Sequence, residues 1–295
     1  MFGRLINSIR NKYHPLFRLR SNRLFNDFLM PLFDVPVACH LPNVKWKVHL
    51  RLARHLSWIL TARTLEPGTA SLFLTLAKII QPQIFWDVGA NIGFYSWLLM
   101  SMNENLQAVL IEPEPENAEL IQKTVANGQL KNARLIRAAA SDRSSTASFA
   151  RDKLSSATGT LAVDKSFNET ILGCKPELIT VTTITLDDLV QQQGFPPPDL
   201  IKIDVESSEH LVFDGAMQLI QKHQPVLVFE CTSPNRQEII RLFGDLGFKI
   251  MSADDASGAV DNAVNLLALP ARHQGIAVQL LDTWRLERTN WERQI

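Results

Sequence analysis

The sequence predicts an α/β fold built on a Rossmann-like, doubly wound and mostly parallel sheet. From residue 84 onward, short apolar segments typical of buried strands alternate with segments of helical periodicity. Such alternation indicates parallel strands joined by crossover helices. The chain has 295 residues, of which 46% are hydrophobic and 20% charged, and this suits one large domain with a modest extension.

The predicted elements follow one another closely. Helical spacing of apolar residues over 69–80 predicts a lead-in helix. The core then comprises strand 84–88, helix 93–102, strand 108–112, helix 115–127 and strand 133–139. It resumes with strand 179–185, a helix from residue 187, strand 200–205, helix 211–222 and strand 226–230. A helix near 237–246 precedes segments 248–251 and 264–269, which we expect to form a C-terminal antiparallel strand pair.

A stretch rich in serine and threonine interrupts the alternation at residues 142–178. It is too long for a plain connection between two core elements. The segment therefore predicts either an added β-hairpin or a loop over the site.

Residues 1–63 form a predicted N-terminal helical extension, and residues 64–295 form the main domain. Up to residue 30 the extension is basic and amphipathic, because six basic residues stand against the single acid Asp27. A helix of this kind either packs its apolar side on the domain, which is the more common case, or contacts an anionic membrane or carrier peripherally.

Charge and cysteine usage narrow the class of function. Lys and Arg number 30 and balance 30 Asp and Glu, so we expect no nucleic-acid partner and favour a small-molecule or glycan acceptor. The cysteines Cys39, Cys174 and Cys231 have no metal-ligand spacing and indicate a reducing compartment. Since there is neither an apolar run of about 20 residues nor a secretory signal pattern, we expect a cytoplasmic protein.

The first core strand leads into the motif DVGANIG at residues 87–93. Small residues at this turn let a cofactor approach the backbone, and Gly89 and Gly93 are predicted to supply that clearance. The motif lacks the G-x-G-x-x-G pattern of dinucleotide sites. Glu112 ends the second strand, where its carboxylate can accept both hydroxyls of a ribose. Together these features predict a nucleoside cofactor without a pyrophosphate.

Five sequence blocks in this order resemble the FkbM family of S-adenosylmethionine-dependent methyltransferases. They are DVGANIG at 87–93, EP at 112–113, TITLDD at 183–188, IKIDVE at 201–206, and the strand that ends at Glu230. The resemblance covers about residues 64–270. The family typically continues the fourth block with glycine, whereas this chain has Ser207, so the turn there is expected to differ.

The resemblance implies a class I methyltransferase fold and S-adenosyl-L-methionine as cofactor. It also implies transfer of the methyl group to a hydroxyl of a sugar, lipid-linked glycan or secondary metabolite. Asp87, Gly89, Asn91 and Gly93 would line the methionine and ribose part of the cofactor, and Glu112 would take the ribose hydroxyls. By the same analogy, Ser141 and Asp142 would lie near the adenine.

Methyl transfer to a hydroxyl needs in-line positioning and a general base. The candidates for catalysis follow the fourth core strand, at Asp204, Glu206 and His210. Lys202 could pair with one of these acids or touch the substrate.

Two further acids are predicted to bind substrate. They are Glu209, for which a helix-capping role is equally open, and Glu230. Although Asp204, Glu206 and Glu230 could hold Mg²⁺, no metal is assigned.

Three other functions share parts of this pattern. An NAD-dependent oxidoreductase has the same strand order but needs the missing glycine motif. A non-catalytic nucleotide-binding module would keep the fold without the acids. A nucleic-acid methyltransferase would carry a basic and aromatic substrate face, and the densest basic cluster here lies in the first 25 positions.

Overall fold

The chain is seen in a computed structural model that describes residues 22, 24, 28–61, 66–151, 159–161, 177–231 and 236–293. Its strands are β1 (Pro36–His40), β2 (Lys47–Arg51), β3 (Ile84–Val88), β4 (Gln107–Ile111), β5 (Ala133–Ile136), β6 (Ala139–Ala140), β7 (Ser145–Arg151), β8 (Thr160–Leu161), β9 (Glu177–Ile184), β10 (Leu200–Ile203), β11 (Val226–Glu230), β12 (Lys249–Ser252) and β13 (Asn265–Leu269).

The helices are α1 (Met30–Phe33), α2 (Leu56–Thr61), α3 (Pro67–Ile79), α4 (Phe94–Met102), α5 (Pro115–Gly128), α6 (Leu186–Gln191), α7 (Glu209–Asp214), α8 (Met217–His223), α9 (Arg236–Asp245) and α10 (Ala277–Arg293). A 3₁₀ turn at Ala271–Ile276 precedes α10. The predicted helix 211–222 is thus two short helices, and α10 was not anticipated from the sequence.

A seven-stranded sheet forms the centre of the molecule, in the order β12-β13-β11-β10-β3-β4-β5. The five strands from β11 to β5 are parallel, while β13 runs antiparallel to both β11 and β12. The predicted doubly wound sheet with a C-terminal antiparallel strand pair is therefore confirmed. The chain winds one way from β3 to β5 and the other way from β10 onward, which places the topological switch point between β3 and β10.

Side-chain caps explain where several helices begin. The carboxylate of Glu114 accepts a hydrogen bond of 2.7 Å from the backbone N–H of Asn117, and Pro115 opens α5. In the same way Thr185 accepts from the backbone N–H of Asp188 at the start of α6. Glu114 comes shortly after β4 and Thr185 directly after β9, so the caps help to fix how the chain leaves these two strands.

A second sheet has four strands, in the order β6-β9-β7-β8. Strands β7 and β9 are antiparallel, and their register runs from Ser145 opposite Thr183 to Arg151 opposite Glu177. The serine- and threonine-rich segment therefore contains added antiparallel strands, and Phe149, Gly159 and Leu161 within it also line the cleft described below. Residues 152–158 and 162–176 lie outside the described residues.

The N-terminal extension is helical only in part, which corrects the prediction. Its residues 36–51 form an antiparallel hairpin of β1 and β2. The physical reason is alternation: Val48 and Leu50 are fully buried while their neighbours are more exposed, a period of two rather than 3.6. These two side chains join the same apolar cluster as Leu98 of α4. The predicted boundary after residue 63 falls in 62–65, outside the described residues, and stays a prediction.

Two apolar clusters cover the two faces of the central sheet. One contains Trp97 and Trp284, and the other contains Phe213, Phe229 and Phe243. The indole Nε1 of Trp284 donates to the carbonyl of Gly68 at 2.9 Å and to Ser71 Oγ at 3.0 Å, and this attaches α10 to α3. Among the described residues, no helix has the length and apolar character needed to cross a bilayer.

Candidate active site

A cleft enclosing about 680 Å³ of space open to solvent lies at the carboxyl ends of the central strands. Its walls come from the turn after β3 with Gly89 and Asn91, and from Glu112 after β4. The segment that begins at Asp204 after β10 forms the opposite wall, and Phe149 of the second sheet also lines the cleft. This is the switch point of the sheet, where open α/β folds bind their ligands.

Neighbouring protein atoms leave no room for a side chain at the two glycines of the turn after β3. Gly89 has φ of +75°, and a Cβ added there would lie 1.9 Å from the carbonyl oxygen of Asp204. Gly93 has φ of +79°, and its Cβ would lie 2.7 Å from the ring of Trp97. The two glycines let the turn pack against β10 and α4. The clearance that they are predicted to give a cofactor stays a prediction.

Glu112 faces the cleft with both carboxylate oxygens already in use. Its Oε2 accepts from the backbone N–H of Asn91 at 2.7 Å, and its Oε1 accepts from the backbone N–H of Glu114 at 2.9 Å. The side chain is only 5% exposed. Burial raises the pKa of Glu112 to about 8, although both backbone donors act to lower it. An ionised carboxylate has about four acceptor positions, so two remain for a ligand.

Asp87 lies beneath the turn rather than on the cleft surface, since it is 1% exposed. Its Oδ2 accepts from Ser96 Oγ at 2.7 Å, while Oδ1 has no hydrogen-bond partner within the described structure. Burial raises the pKa of Asp87 to about 6, even though the ammonium of Lys202 acts to lower it. Its role beside the cofactor stays a prediction.

An acidic cluster follows β10 and β11 on the other side of the cleft. Asp204, Glu206 and Glu230 each place one carboxylate oxygen within 4.8 Å of the others. Burial raises the pKa of Glu230 well above its usual value, and the charges of Glu206 and Asp204 add to the effect. A side-chain hydrogen bond with Asp204 acts in the same direction on the pKa of Glu230.

Lys202 pairs with one of these acids, as the sequence allowed. Its Nζ donates to Asp204 Oδ2 at 2.8 Å and lies 5.0 Å from the ring centroid of Tyr95. Burial acts to lower the pKa of Lys202, but the carboxylates of Asp204 and Asp87 outweigh it, so the pKa is raised. No metal is assigned to the acidic cluster.

Sequence reasoning missed two residues of this network. The hydroxyl of Tyr95 donates to Glu66 Oε2 at 2.6 Å, and burial together with Glu66 raises the pKa of Tyr95 well above its usual value. Tyr95 directly follows the glycine motif and could have been weighed as a site residue. Glu66 lies outside every motif, so only the folded chain reveals it.

The turn after β10 takes an unusual backbone path. Glu206 has φ of +52° and Ser207 has φ of +76°, both in the left-handed region that favours glycine. Glu209 is fully buried beneath this turn, and its Oε1 accepts from the backbone N–H of Ser207 at 3.1 Å. Burial raises the pKa of Glu209 to about 7. We therefore reassign Glu209 from substrate binding to support of the turn.

The remaining predicted residues stand further from the cleft. Ser208 is the last residue of the turn that lines it, and His210 lies beyond on α7 with a buried Nδ1 that has no partner within the described residues. At the predicted adenine end the lining comes from Ala139 and Ala140. Ser141 and Asp142 follow them, and Asp142 pairs with the exposed Arg143 at 2.8 Å. Their roles, like that of His210, stay predictions.

Comparison with known families places this cleft in context. The family description "Methyltransferase FkbM domain" matches residues 87–250, which include the glycine turn, Glu112 and the acidic cluster. The chain belongs to the FkbM methyltransferase family. This membership confirms the resemblance read from the sequence and implies S-adenosylmethionine as the cofactor.

Individual relatives of this FkbM methyltransferase are distant. "Hexuronic acid methyltransferase AglP" of Haloferax volcanii is 26% identical over 176 residues, which are 58% of this chain and 66% of AglP. The match thus spans just under two thirds of that relative. A crystal structure of methyltransferase FkbM from Methylobacillus flagellatus KT is 16% identical, with a TM-score of 0.42 over 63% of this chain and 43% of that chain. An O-methyltransferase from Bacillus cereus in complex with SAH is 14% identical, with a TM-score of 0.40 over 71% and 83%.

The residues at the cleft of this FkbM methyltransferase fit its cofactor. Glu112 is a buried carboxylate at the end of the second core strand, with acceptor positions left for two hydroxyl groups. Asp204 and Glu206 line the same cleft and provide negative charge for a cationic sulfonium.

Proposed function

We propose that the protein catalyses O-methylation, from S-adenosylmethionine to a hydroxyl group of a sugar, glycan or secondary metabolite. The observation that carries the proposal is one cleft holding a carboxylate suited to ribose, Glu112, together with two acids suited to an acceptor, Asp204 and Glu206. A ligand bound at one wall lies within reach of the other.

The cofactor side of the cleft is formed by Gly89, Asn91 and Glu112. Glu112 accepts the two ribose hydroxyls at its remaining acceptor positions, while Asn91 and Glu114 keep its carboxylate oriented through their backbone N–H groups. When bound, S-adenosylmethionine supplies a methyl group on a positively charged sulfur. The acids of the opposite wall favour that charge in the cleft.

Glu206 serves as the general base in this proposal. Asp204 is less suited, because it already accepts a hydrogen bond from Lys202 at 2.8 Å and is hydrogen-bonded to Glu230. Asp204 instead orients the acceptor, and Glu206 takes the proton from the attacking hydroxyl. His210 is the weaker candidate, since the cleft lining in this segment ends at Ser208.

The chemistry of the cleft favours an acceptor rich in hydroxyl groups. Carboxylates accept hydrogen bonds from sugar hydroxyls, and the relative named a hexuronic acid methyltransferase supports a sugar as acceptor. Among carbohydrates, we expect neutral sugars to bind better than multiply anionic ones, because the carboxylates of Asp204 and Glu206 repel further negative charge.

Glu206→Gln tests the base. We expect the variant to lose at least about a hundredfold in kcat while its affinity for S-adenosylhomocysteine stays within a factor of about two. Glu119→Gln, on the exposed side of α5, is the matched control and should keep full activity. Activity in the Glu206 variant equal to wild type would remove this residue from the mechanism.

Calorimetric titration separates the proposal from the other functions. Binding of S-adenosylmethionine and S-adenosylhomocysteine, but not NAD, is expected. A preference for NAD would support an oxidoreductase. Cofactor binding without methyl transfer to any member of a broad acceptor panel would favour a non-catalytic module.

A further inference from the structure

Large apolar side chains face the solvent along the chain just before the N-terminal hairpin. Phe28 is 67% exposed, Leu32 is 71% exposed and Phe33 is 64% exposed. Leu29 and Val35 are exposed as well. Single exposed apolar residues are ordinary, but several within eight positions mark a surface that binds something. We call residues 28–35 the apolar segment.

The apolar segment is held firmly at its C-terminal end. Buried Asp34 accepts hydrogen bonds from the side chain of Arg51 at 3.0 Å and from the backbone N–H groups of Ala53 and Arg54. The backbone N–H of Leu52, another exposed apolar residue, donates to the carbonyl of Val35 at 2.9 Å. The apolar side chains therefore project from a fixed base.

Ion pairs connect this base to the rim of the cleft. Arg54 pairs with Glu116 in the first turn of α5, and Glu116 also pairs with Arg151 at the end of β7. Arg151 in turn contacts Glu114 at 2.7 Å, and Glu114 lines the cleft. These ion pairs thus link the base of the apolar segment to the rim of the cleft. Any surface on which the apolar segment docks would lie near the opening of the cleft.

The charge of the sequence before the apolar segment indicates what kind of surface the segment binds. Residues 1–30 carry six basic residues and one acid. An exposed apolar segment next to a basic stretch matches the boundary of an anionic bilayer, which takes up apolar side chains and attracts cations. A second copy of the chain is disfavoured, because it would bring the same basic stretch to the interface.

We propose that the apolar segment docks on the surface of an anionic lipid bilayer. Docking would set the cleft at the membrane surface, within reach of acceptors carried there. This inference goes beyond the proposed methyl transfer and does not depend on it, because vesicle binding is measured without turnover.

Vesicle sedimentation tests the proposal on the full chain. The probes are vesicles of phosphatidylcholine alone and vesicles with about 30% phosphatidylglycerol. We expect wild-type protein to bind only the anionic vesicles, and Phe28→Ser/Leu32→Ser to lose at least about tenfold in that affinity. Arg18→Glu/Arg20→Glu should also bind more weakly.

Val278→Ser/Leu286→Ser is the matched control, because both residues are exposed apolar side chains on α10. We expect it to bind vesicles like wild type, and all variants to bind S-adenosylhomocysteine normally, which shows that they are folded. Three results would overturn the proposal: equal loss in the control, no vesicle binding by wild type, or a dimer in ultracentrifugation that Phe28→Ser/Leu32→Ser dissociates.

Discussion

Cofactor affinity should depend on pH through Glu112. Burial raises the pKa of this group to about 8 in the unliganded protein, so it is mostly protonated at pH 7. The protonated acid has fewer acceptor positions than the carboxylate, and two are already taken by the backbone N–H groups of Asn91 and Glu114. Two ribose hydroxyls can therefore bind fully only to the ionised form, and binding must release the proton.

The size of the effect follows from this pKa. At pH 7 about one Glu112 in eleven is ionised, so the dissociation constant should be about tenfold higher than at pH 9. At pH 6 the difference should reach about a hundredfold. The same raised pKa makes the stability of the unliganded fold depend on pH. Because the folded protein holds this proton more tightly than the unfolded chain, stability is lost as pH rises from about 4.5 through about 8. S-adenosylhomocysteine should therefore stabilise the fold most at high pH.

Isothermal titration with S-adenosylhomocysteine from pH 6 to 9 measures both quantities. In buffers of different ionisation enthalpy, wild-type protein should release close to one proton at pH 7. Glu112→Gln should bind weakly at every pH and release no proton through this group. An affinity of wild-type protein that stays constant from pH 6 to 8.5 would refute the role of Glu112 as the ribose acceptor.

Three further changes have defined outcomes. Ser207→Gly should raise stability by about 0.5–1 kcal/mol in thermal unfolding, because glycine adopts the φ of +76° without strain; a lower melting temperature would contradict this. Trp284→Phe should cost about 1–3 kcal/mol by removing both hydrogen bonds of its indole, with S-adenosylhomocysteine affinity unchanged. Lys202→Met should shift the acidic limb of the kcat profile upward by about one pH unit, because the acidic cluster loses its ammonium. An unchanged profile would show that Lys202 does not tune the site.

Much of the central sheet could be predicted because its signals are local. Strand 84–88 and the strand ending at Glu230 match the structure residue for residue, since each is a short apolar segment with clear boundaries. The N-terminal hairpin was missed because its five-residue strands carry too few alternating positions to stand out from the helical pattern around them. Helix α10 was missed because its apolar residues recur sparsely among charged ones.

Which residues line the cleft was easier to predict from the sequence than how deeply each of them is buried. Placement after a core strand correctly brought Glu112, Asp204 and Glu206 into one cleft. The burial and the pKa values of these acids could not be predicted, because both depend on residues that are far apart in the sequence and meet only in the folded chain. Glu209 was predicted either to bind substrate or to cap a helix, and Glu206 to take part in catalysis; in the structure Glu209 lies fully buried under the turn, whereas Glu206 lines the cleft.

The glycine turn couples the two walls of the cleft. Gly89 lies so close to the carbonyl of Asp204 that no side chain fits between them, and the backbone N–H of Asn91 holds Glu112 at 2.7 Å. One short segment thus sets the position of the acid predicted to bind the ribose and of the strand end that carries the acceptor acids. Since in-line transfer loses rate steeply with small errors of alignment, a rigid link of this kind between donor and acceptor walls is what the proposed reaction requires.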